Sequence, residues 1–241
     1  MNNAKINPNA KKSRSRAIPG HKDVRPISSN YDLANLLDSL QHDFRLGQRN
    51  YTIFQVGKAT LLRVSDVMRL RKADVYTEDG RVKRNAFIKD KKTGKQNTLY
   101  LKPVRDDLLD YWQWLQDFQK SHPYNRIFDS EWLFPPYTRP DRHITENQYY
   151  KIIKRAGELA GVAHVGTHSM RKTGALIVYE QSNHNIGLVM KLLNHSSEAV
   201  TLDYLGLSQE RRENILDTID FDRFRWFLCH ADTMILRASN G

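Results

Sequence analysis

The sequence predicts an α+β fold that is mainly α-helical and contains one small antiparallel β-sheet. Apolar residues recur at helical spacing over most of the chain from residue 28 onward. Strand-like segments are confined to residues 82–101, where residues 85–89 and 97–101 flank a polar turn that contains Gly94. A short turn between two such segments is typical of a β-hairpin.

The helices are predicted from capping residues and from the spacing of apolar side chains. Ser29, Ser65 and Thr145 are the expected N-caps of three helices. One helix carries an apolar stripe that we expect in the core: Leu108, Leu109, Trp112, Leu115 and Phe118. The expected helices cover about residues 30–43, 49–62, 65–71, 103–120 and 145–160, and continue after residue 167 with breaks near 183–185 and 206.

The chain is strongly basic, with 38 Lys or Arg against 27 Asp or Glu among 241 residues and a net charge of +11. Such a charge favours a polyanionic partner, either nucleic acid or an anionic membrane surface. No membrane partner is expected, because the sequence contains no run of about 18 apolar residues and no secretion signal. The single cysteine, Cys229, cannot form an internal disulfide, so a cytoplasmic location is expected.

The first 25 residues differ in character from the rest of the chain. Residues 1–25 contain seven Lys or Arg, one Asp and too few apolar residues for a core, whereas residues 26–241 are patterned as one domain. The basic segment is either a disordered solubilising tail or an arm that lies along DNA phosphates. The phosphate-binding residues of such an arm would be Lys11, Lys12, Arg14 and Arg16.

Five residues of the patterned domain indicate phosphate chemistry. His168 and Arg171 lie in one predicted helical turn, His195 and Tyr204 follow, and Arg63 lies far upstream. A guanidinium group binds two oxygens of a phosphodiester at once, and histidines add further donors. A tyrosine hydroxyl can attack phosphorus and form a covalent intermediate. The set therefore predicts that a phosphodiester is cut and resealed.

The motifs that contain these residues resemble the catalytic domain of the tyrosine recombinases, the integrase family of phages, conjugative elements and bacterial invertases. The resemblance covers about residues 26–220. It rests on four motifs in the family's order: residues 60–70 with the first arginine, residues 92–95 with the mobile lysine, residues 168–171 with His-x-x-Arg, and the nine-residue spacing from His195 to Tyr204.

The resemblance implies a site-specific DNA recombinase that requires no metal ion or other cofactor. Tyr204 would attack the scissile phosphate and form a 3′-phosphotyrosyl link with a free 5′-hydroxyl. Lys92 would protonate the departing 5′-oxygen, and His168 would accept the proton of the tyrosine. The non-bridging oxygens would be bound by three donors: Arg63, Arg171 and His195.

Further residues and partners are implied by the same resemblance. Asp66 would orient a neighbouring arginine or histidine, and additional DNA contacts would come from Lys91, Lys95 and Lys172. The implied partners are double-stranded recombination sites, other copies of the chain in a tetramer on paired sites, and an accessory DNA-bending protein. A helix from Ser208 to about residue 219 and an apolar segment over 221–236 would either fold back on the domain or dock on the next subunit.

The sequence departs from the family pattern at three positions and in its length. Leu62 stands where glycine commonly precedes the arginine, Asp66 where glutamate is more frequent, and Asn194 where glycine often precedes the histidine. The chain also enters the catalytic domain almost at once, as the short invertase-type members do. A separate N-terminal DNA-binding domain is therefore not expected.

Each assignment has an alternative that the sequence leaves open. Arg63 and Asp66 could form a structural ion pair, Tyr204 could be a core residue, and the catalytic lysine could be another lysine of the hairpin turn. His164 and His168 have the spacing of a metal pair but lack a recognisable third ligand. Two other functions remain open: a catalytically silent DNA-binding regulator on the same fold, and a relaxing enzyme that resembles the type IB topoisomerases.

Overall fold

A computed structural model describes residues 24–92, 94–207, 216, 217 and 219 of the chain. Within this part the fold is mainly helical with one two-stranded antiparallel sheet, so the predicted fold class is confirmed. The α-helices are α1 (Asn30–His42), α2 (Gly47–Thr60), α3 (Val64–Met68), α4 (Lys72–Val75), α5 (Arg105–Ser121), α6 (Glu146–Ala160), α7 (Ser169–Gln181), α8 (Ile186–Leu193) and α9 (Glu198–Tyr204). The strands are β1 (Asn85–Lys89) and β2 (Gln96–Tyr100), and a short 3₁₀ helix, Lys102–Val104, precedes α5.

Two of the three predicted caps are confirmed and one is wrong. The Ser29 hydroxyl accepts a hydrogen bond from the backbone N–H of Asp32, and Thr145 forms a reciprocal capping box with Gln148. Ser65 is not a cap, because α3 begins one residue earlier and Arg63 occupies the N-cap position in an extended conformation. The buried Val64 starts this helix because its side chain packs into the core.

The hairpin pairs β1 with β2 in antiparallel register, with Ala86 opposite Leu99. Those two side chains are buried, so one face of the hairpin packs on the core. The second strand begins and ends one residue before the predicted 97–101. Gly94 has a φ of 67° in the turn, which glycine adopts without steric cost.

Two hydrophobic clusters hold the described helices together. The larger one fills the space among α1, α2, α3, α5 and α6 and includes Leu108, Leu115 and Phe118 of the predicted stripe. Tyr111, which the stripe did not include, is fully buried there and donates to the carbonyl of Leu133. The smaller cluster joins α7, α8 and α9 to the end of α2: Leu61, Ala175, Leu176, Val189, Leu193 and Leu205.

Helices α2 and α7 approach each other closely because glycines stand where they cross. A Cβ atom on Gly174 would lie 2.0 Å from the carbonyl oxygen of Lys58, and one on Gly57 would lie 2.3 Å from the sulfur of Met170. Each distance is far shorter than a van der Waals contact, so any larger side chain would push the helices apart. The crossing sets the distance between the end of α2 and the start of α7.

The chain enters the domain by packing along α7. The backbone N–H of Ile27 donates to the Thr173 hydroxyl at 3.0 Å, and the Lys172 ammonium donates to the Val24 carbonyl at 2.8 Å. The predicted basic arm otherwise lies outside the described residues, as do the four arm residues Lys11, Lys12, Arg14 and Arg16 and the predicted C-terminal segment beyond 219. In the part of the chain that is described, no helix is long and apolar enough to span a membrane.

Candidate active site

The two arginines of the predicted clamp lie on either side of the α2–α7 crossing. Arg63 follows the end of α2, and Arg171 lies in the first turn of α7. Arg171 is buried and its Nη2 donates to the carbonyl of Leu193 at 2.8 Å, while its Nε has no partner among the described residues. Burial, and to a smaller extent the charge of Arg63, lowers the pKa of Arg171.

Arg63 is held by the hairpin. Its guanidinium donates to Oδ2 of Asp90 at 2.5 Å, and Oδ1 of the same carboxylate accepts from the backbone N–H of Lys92 at 2.8 Å. The structural ion pair of Arg63 is therefore formed with the buried Asp90, which sequence reasoning missed. The one signal in the sequence is a carboxylate directly before the lysine-rich turn.

Asp66 binds the same turn from the other side. Its Oδ1 accepts from the backbone N–H of Lys91 at 2.9 Å, and its Oδ2 is buried without a hydrogen-bond partner among the described residues. Burial raises the pKa of Asp66, although the Lys91 N–H opposes this shift. Asp66 and Asp90 together fasten the hairpin turn to the arginine segment.

The turn presents its lysines next to this carboxylate pair. Lys91 and Lys92 are both exposed, and the Lys91 ammonium lies 3.8 Å from a carboxylate oxygen of Glu146. No ion pair of the Lys92 ammonium is found among the described residues. The Asp90 carboxylate therefore binds both the backbone N–H of Lys92, the predicted general acid, and the guanidinium of Arg63.

His168 stands at the N-cap position of α7, directly before the turn that carries Arg171. Residues three apart in a helix share one face, so the His-x-x-Arg spacing directs both side chains to the same side. His168 is half-buried, and its carbonyl accepts from the backbone N–H of Lys172 at 2.9 Å.

His195 is fixed by a hydroxyl of α9. Its Nδ1 lies 3.1 Å from Oγ1 of Thr201, and that hydroxyl also donates to the carbonyl of Ser197 at 3.0 Å. Thr201 is fully buried and was not predicted as part of the site. Burial lowers the pKa of His195, and the charges of Arg171 and Arg63 lower it further.

Tyr204 is the last residue of α9, and its ring meets the His195 ring edge to face with 5.2 Å between centroids. Its hydroxyl oxygen is buried without a hydrogen-bond partner among the described residues. Burial raises the pKa of Tyr204 to about 12, although the charges of Arg171 and Arg63 oppose the shift. The tyrosine is thus protonated at neutral pH, and it lies within electrostatic range of both arginines.

The Lys172 side chain makes its described contacts within the protein. Its ammonium donates to the Val24 carbonyl and lies 5.0 Å from the centroid of the Tyr204 ring. Burial lowers its pKa, and Asp203 opposes this shift. These two contacts link the residues before α1 to the tyrosine. The DNA contact of Lys172 stays a prediction.

Two residues that border the site have left-handed backbone conformations. Asn194 has a φ of 55° as the C-cap of α8, which explains why asparagine can stand where the family often has glycine. Leu61 has the same φ of 55° as the C-cap of α2. The position that favours glycine before Arg63 is therefore Leu61 and not Leu62, because Leu61 must reverse the chain where α2 ends.

The structure brings four of the predicted residues close to one another, and a fifth is connected to them through the backbone of the hairpin turn. Electrostatic coupling joins the four: Arg63, Arg171, His195 and Tyr204. The turn with Lys92 is bound to this group through Asp90. Within the described residues, no three His, Cys, Asp or Glu side chains are placed to bind a metal ion, so His164 and His168 have no third ligand there.

A comparison with models of protein families identifies the family of this chain. A model of the phage integrase family matches residues 29–211, which is well over half of the chain. The chain belongs to the phage integrase family. This membership confirms the resemblance on which the site residues were predicted.

The chain is also similar to a curated bacterial protein. The chain is 27% identical to the probable integrase/recombinase YoeC of Bacillus subtilis (strain 168). The 188 aligned residues make up 78% of this chain and 92% of YoeC.

Solved structures show that the fold is that of a recombinase. The XerH site-specific recombinase in a post-cleavage complex with its difH substrate matches with a TM-score of 0.56 and 20% identity over 82% of this chain. The chain spans 54% of the XerH chain, about half of its length. A lambda integrase tetramer bound to a Holliday junction matches with a TM-score of 0.54 and 14% identity, over 76% of this chain and 48% of that one.

Proposed function

We propose that this member of the phage integrase family is a site-specific DNA recombinase that cuts and rejoins DNA through a 3′-phosphotyrosyl intermediate. The carrying observation is the buried Tyr204 hydroxyl, which has no described partner and lies within electrostatic range of Arg63 and Arg171. A buried polar atom without a partner is costly unless a ligand satisfies it. A phosphate between the two guanidinium groups satisfies the arginines and meets the attacking oxygen.

The chemistry follows from the properties of these groups. Tyr204 attacks phosphorus, and the Arg63 and Arg171 guanidinium groups stabilise the charge that develops on the non-bridging oxygens. The phosphate displaces the Asp90 carboxylate from Arg63. Lys92, on the turn that Asp66 and Asp90 hold through its backbone, protonates the departing 5′-oxygen. His168 and His195 supply the remaining hydrogen bonds and proton transfer.

The family and the curated relative support recombinase activity over a catalytically silent regulator on the same fold. YoeC is described as a probable integrase/recombinase, and the matched XerH structure holds DNA after cleavage. All six side chains of the predicted catalytic set are present in this chain. A protein that had lost catalysis would not be expected to keep the partnerless tyrosine hydroxyl, because its burial costs stability.

Covalent capture tests the proposal and selects the target sequence in the same experiment. The protein is incubated with a library of nicked duplexes whose central sequence is randomised, and covalent adducts are isolated under denaturing conditions and sequenced. A nick near the cleaved bond releases a short 5′-hydroxyl fragment, so the adduct cannot be resealed. We expect the wild-type protein to capture a defined set of sequences.

The matched variants are Tyr204→Phe and Tyr124→Phe. Tyr204→Phe removes the attacking oxygen, so adducts should disappear while binding to the selected duplex is retained. Tyr124 is fully exposed, and its phenylalanine variant should capture DNA like the wild-type protein. Adducts with Tyr204→Phe, or none with the wild-type protein, would refute the proposed function.

Assembly on DNA is part of the proposal. The chain is a monomer or weak dimer in solution and forms a tetramer on two paired sites, as the lambda integrase structure does on a junction. A head-to-tail contact that closes after four copies accounts for such a ring. Exposed apolar side chains on α8 and α9 offer a surface for the segment 221–241 of a neighbour: Leu188, Leu192 and Val200.

Deletion of residues 221–241 tests this arrangement. The truncated protein should bind a single site like the full chain but should fail to form the synaptic complex of two sites, measured by native gel mobility. Full recombination by the truncated protein would exclude exchange of this segment. A relaxing enzyme of the topoisomerase type would instead cut single sites and never pair them. The basic arm and an accessory DNA-bending protein remain predictions.

A further inference from the structure

A groove with a volume of about 450 Å³ lies between the start of α2 and helix α6. Three of the side chains that line it are cationic, Arg45, Arg49 and Lys151, and none of the described residues that line it is an Asp or a Glu. A helix rises about 1.5 Å per residue, so Arg49 lies about 16 Å along α2 from Thr60, the end that leads to Arg63. The groove is therefore separate from the candidate active site.

Arg49 carries a buried charge that no carboxylate balances among the described residues. Only 6% of its surface is accessible. Its three hydrogen bonds all go to neutral oxygens: Nη1 donates to the carbonyl of Pro135 at 2.9 Å, and Nε and Nη2 donate to Oδ1 of Asn50 at 3.2 Å and 2.8 Å. A guanidinium group has five N–H donors, so two of them bind no described atom.

The missing countercharge has an energetic consequence. Burial lowers the pKa of Arg49 to about 10, because the charged form is poorly solvated there. A buried charge is costly unless an opposite charge lies near it. An anion in the groove would supply that charge and accept the two remaining N–H donors.

The two outer cations of the groove also lack an ion pair among the described residues. Arg45 and Lys151 are exposed, and the Arg45 guanidinium lies over the Tyr137 ring, 4.1 Å from its centroid. By contrast, Arg155 lies one turn after Lys151 on α6 and pairs with Glu158 at 3.2 Å. Like charges that line one groove repel one another, and an anion between them removes this repulsion.

We propose that this groove binds a phosphate group, with Arg49 at its base and Arg45 and Lys151 at its rim. A guanidinium fork binds two phosphate oxygens at once, and an ammonium group adds a point charge. A backbone phosphate of DNA, distinct from the scissile one, has this chemistry, and so does a free phosphate ion. The DNA source rests on the proposed function, whereas the free ion does not.

Inorganic phosphate tests the groove without DNA. Thermal unfolding of the wild-type protein and of the double variant Arg45→Ala/Lys151→Ala is followed while sodium phosphate replaces sodium chloride at constant ionic strength. Both side chains are exposed, so the variant should fold like the wild-type protein. Phosphate also stabilises proteins in general and can bind Arg63 and Arg171, but both proteins share these effects. Binding in the groove should therefore raise the Tm of the wild-type protein more than that of the variant.

Duplex DNA tests for a backbone phosphate. The affinity for the duplex chosen by covalent capture is measured over a series of salt concentrations. Loss of one phosphate contact should reduce the slope of log affinity against log salt by about 0.9 in the double variant. Arg155→Ala is the matched control, because it removes an exposed cation of α6 outside the groove and should keep the wild-type slope.

A neutral methylphosphonate, placed at each backbone position in turn, locates the contact. At one position it should weaken binding by the wild-type protein about 10-fold and leave the affinity of the double variant unchanged. A reduced slope together with such a position assigns the groove to a DNA phosphate. A larger Tm rise in the wild-type protein without these differences assigns it to a free phosphate.

Equal Tm rises, equal salt slopes and equal methylphosphonate profiles in the wild-type protein and the double variant would overturn the proposal. Failure of the wild-type protein to capture DNA would refute the proposed function instead. In that case the phosphate titration, and the salt slope measured on a duplex of arbitrary sequence, still decide whether the groove binds phosphate.

Discussion

Replacement of Gly174 by alanine tests whether the α2–α7 crossing sets the geometry of the arginine clamp. The added Cβ would lie 2.0 Å from the carbonyl oxygen of Lys58 and 2.7 Å from a methyl group of Leu61. Ordinary contact begins at 3.4 Å, so the backbone of α2 must move by about 1.4 Å at this point. The carbonyl belongs to the backbone and cannot rotate away as a side chain could.

Two opposing terms decide the stability of Gly174→Ala. Overpacking costs roughly 1–3 kcal/mol, whereas alanine in place of glycine in a helix contributes about 0.5–1 kcal/mol in the other direction. The net loss in the free energy of unfolding should therefore be about 0–2.5 kcal/mol, small enough for the protein to stay folded. Activity should fall more, because a misplacement of about 1 Å in an active site can cost a hundredfold in rate.

Gly187→Ala is the matched control for this experiment. Gly187 is an exposed glycine of α8, and its added Cβ would come no closer than 3.5 Å to its nearest neighbour, the side chain of Asn185. Chemical denaturation should show Gly187→Ala to be as stable as the wild-type protein or more stable, with an unchanged cleavage rate in the covalent capture assay. If Gly174→Ala behaves like Gly187→Ala in both measurements, the crossing does not position the arginines.

Two further predictions concern proton transfer. A 5′-thio leaving group needs no proton, so it should restore cleavage by Lys92→Ala, measured in single turnovers; rescue of Lys91→Ala or Lys95→Ala instead would move the general acid to another lysine of the turn. The pKa of His195 is lowered from its ordinary 6.5, so a rate that needs the neutral imidazole should fall to half of its plateau only at a pH below 6.5. A midpoint above 6.5 would show that another group limits the reaction.

The sequence by itself determined the fold class and the family, and it predicted the chemistry and the site residues. The helical spacing, two of the caps and the hairpin turn depend on residues that are close together in the sequence, so short sequence patterns could predict them. The identities of Arg63, Arg171 and Tyr204 followed from ordered motifs, because phosphate chemistry demands particular side chains. Their roles could be predicted before their distances were known.

Only the tertiary structure decided which groups bind one another. The pairing of Arg63 with Asp90 instead of Asp66 joins residues 27 positions apart, and it depends on where the hairpin folds against the end of α2. The bond between Thr201 and His195 depends on a turn between two short helices, and the contact of Gly174 with Lys58 on a helix crossing. These contacts are long-range or depend on loop geometry, and no local pattern in a sequence encodes them.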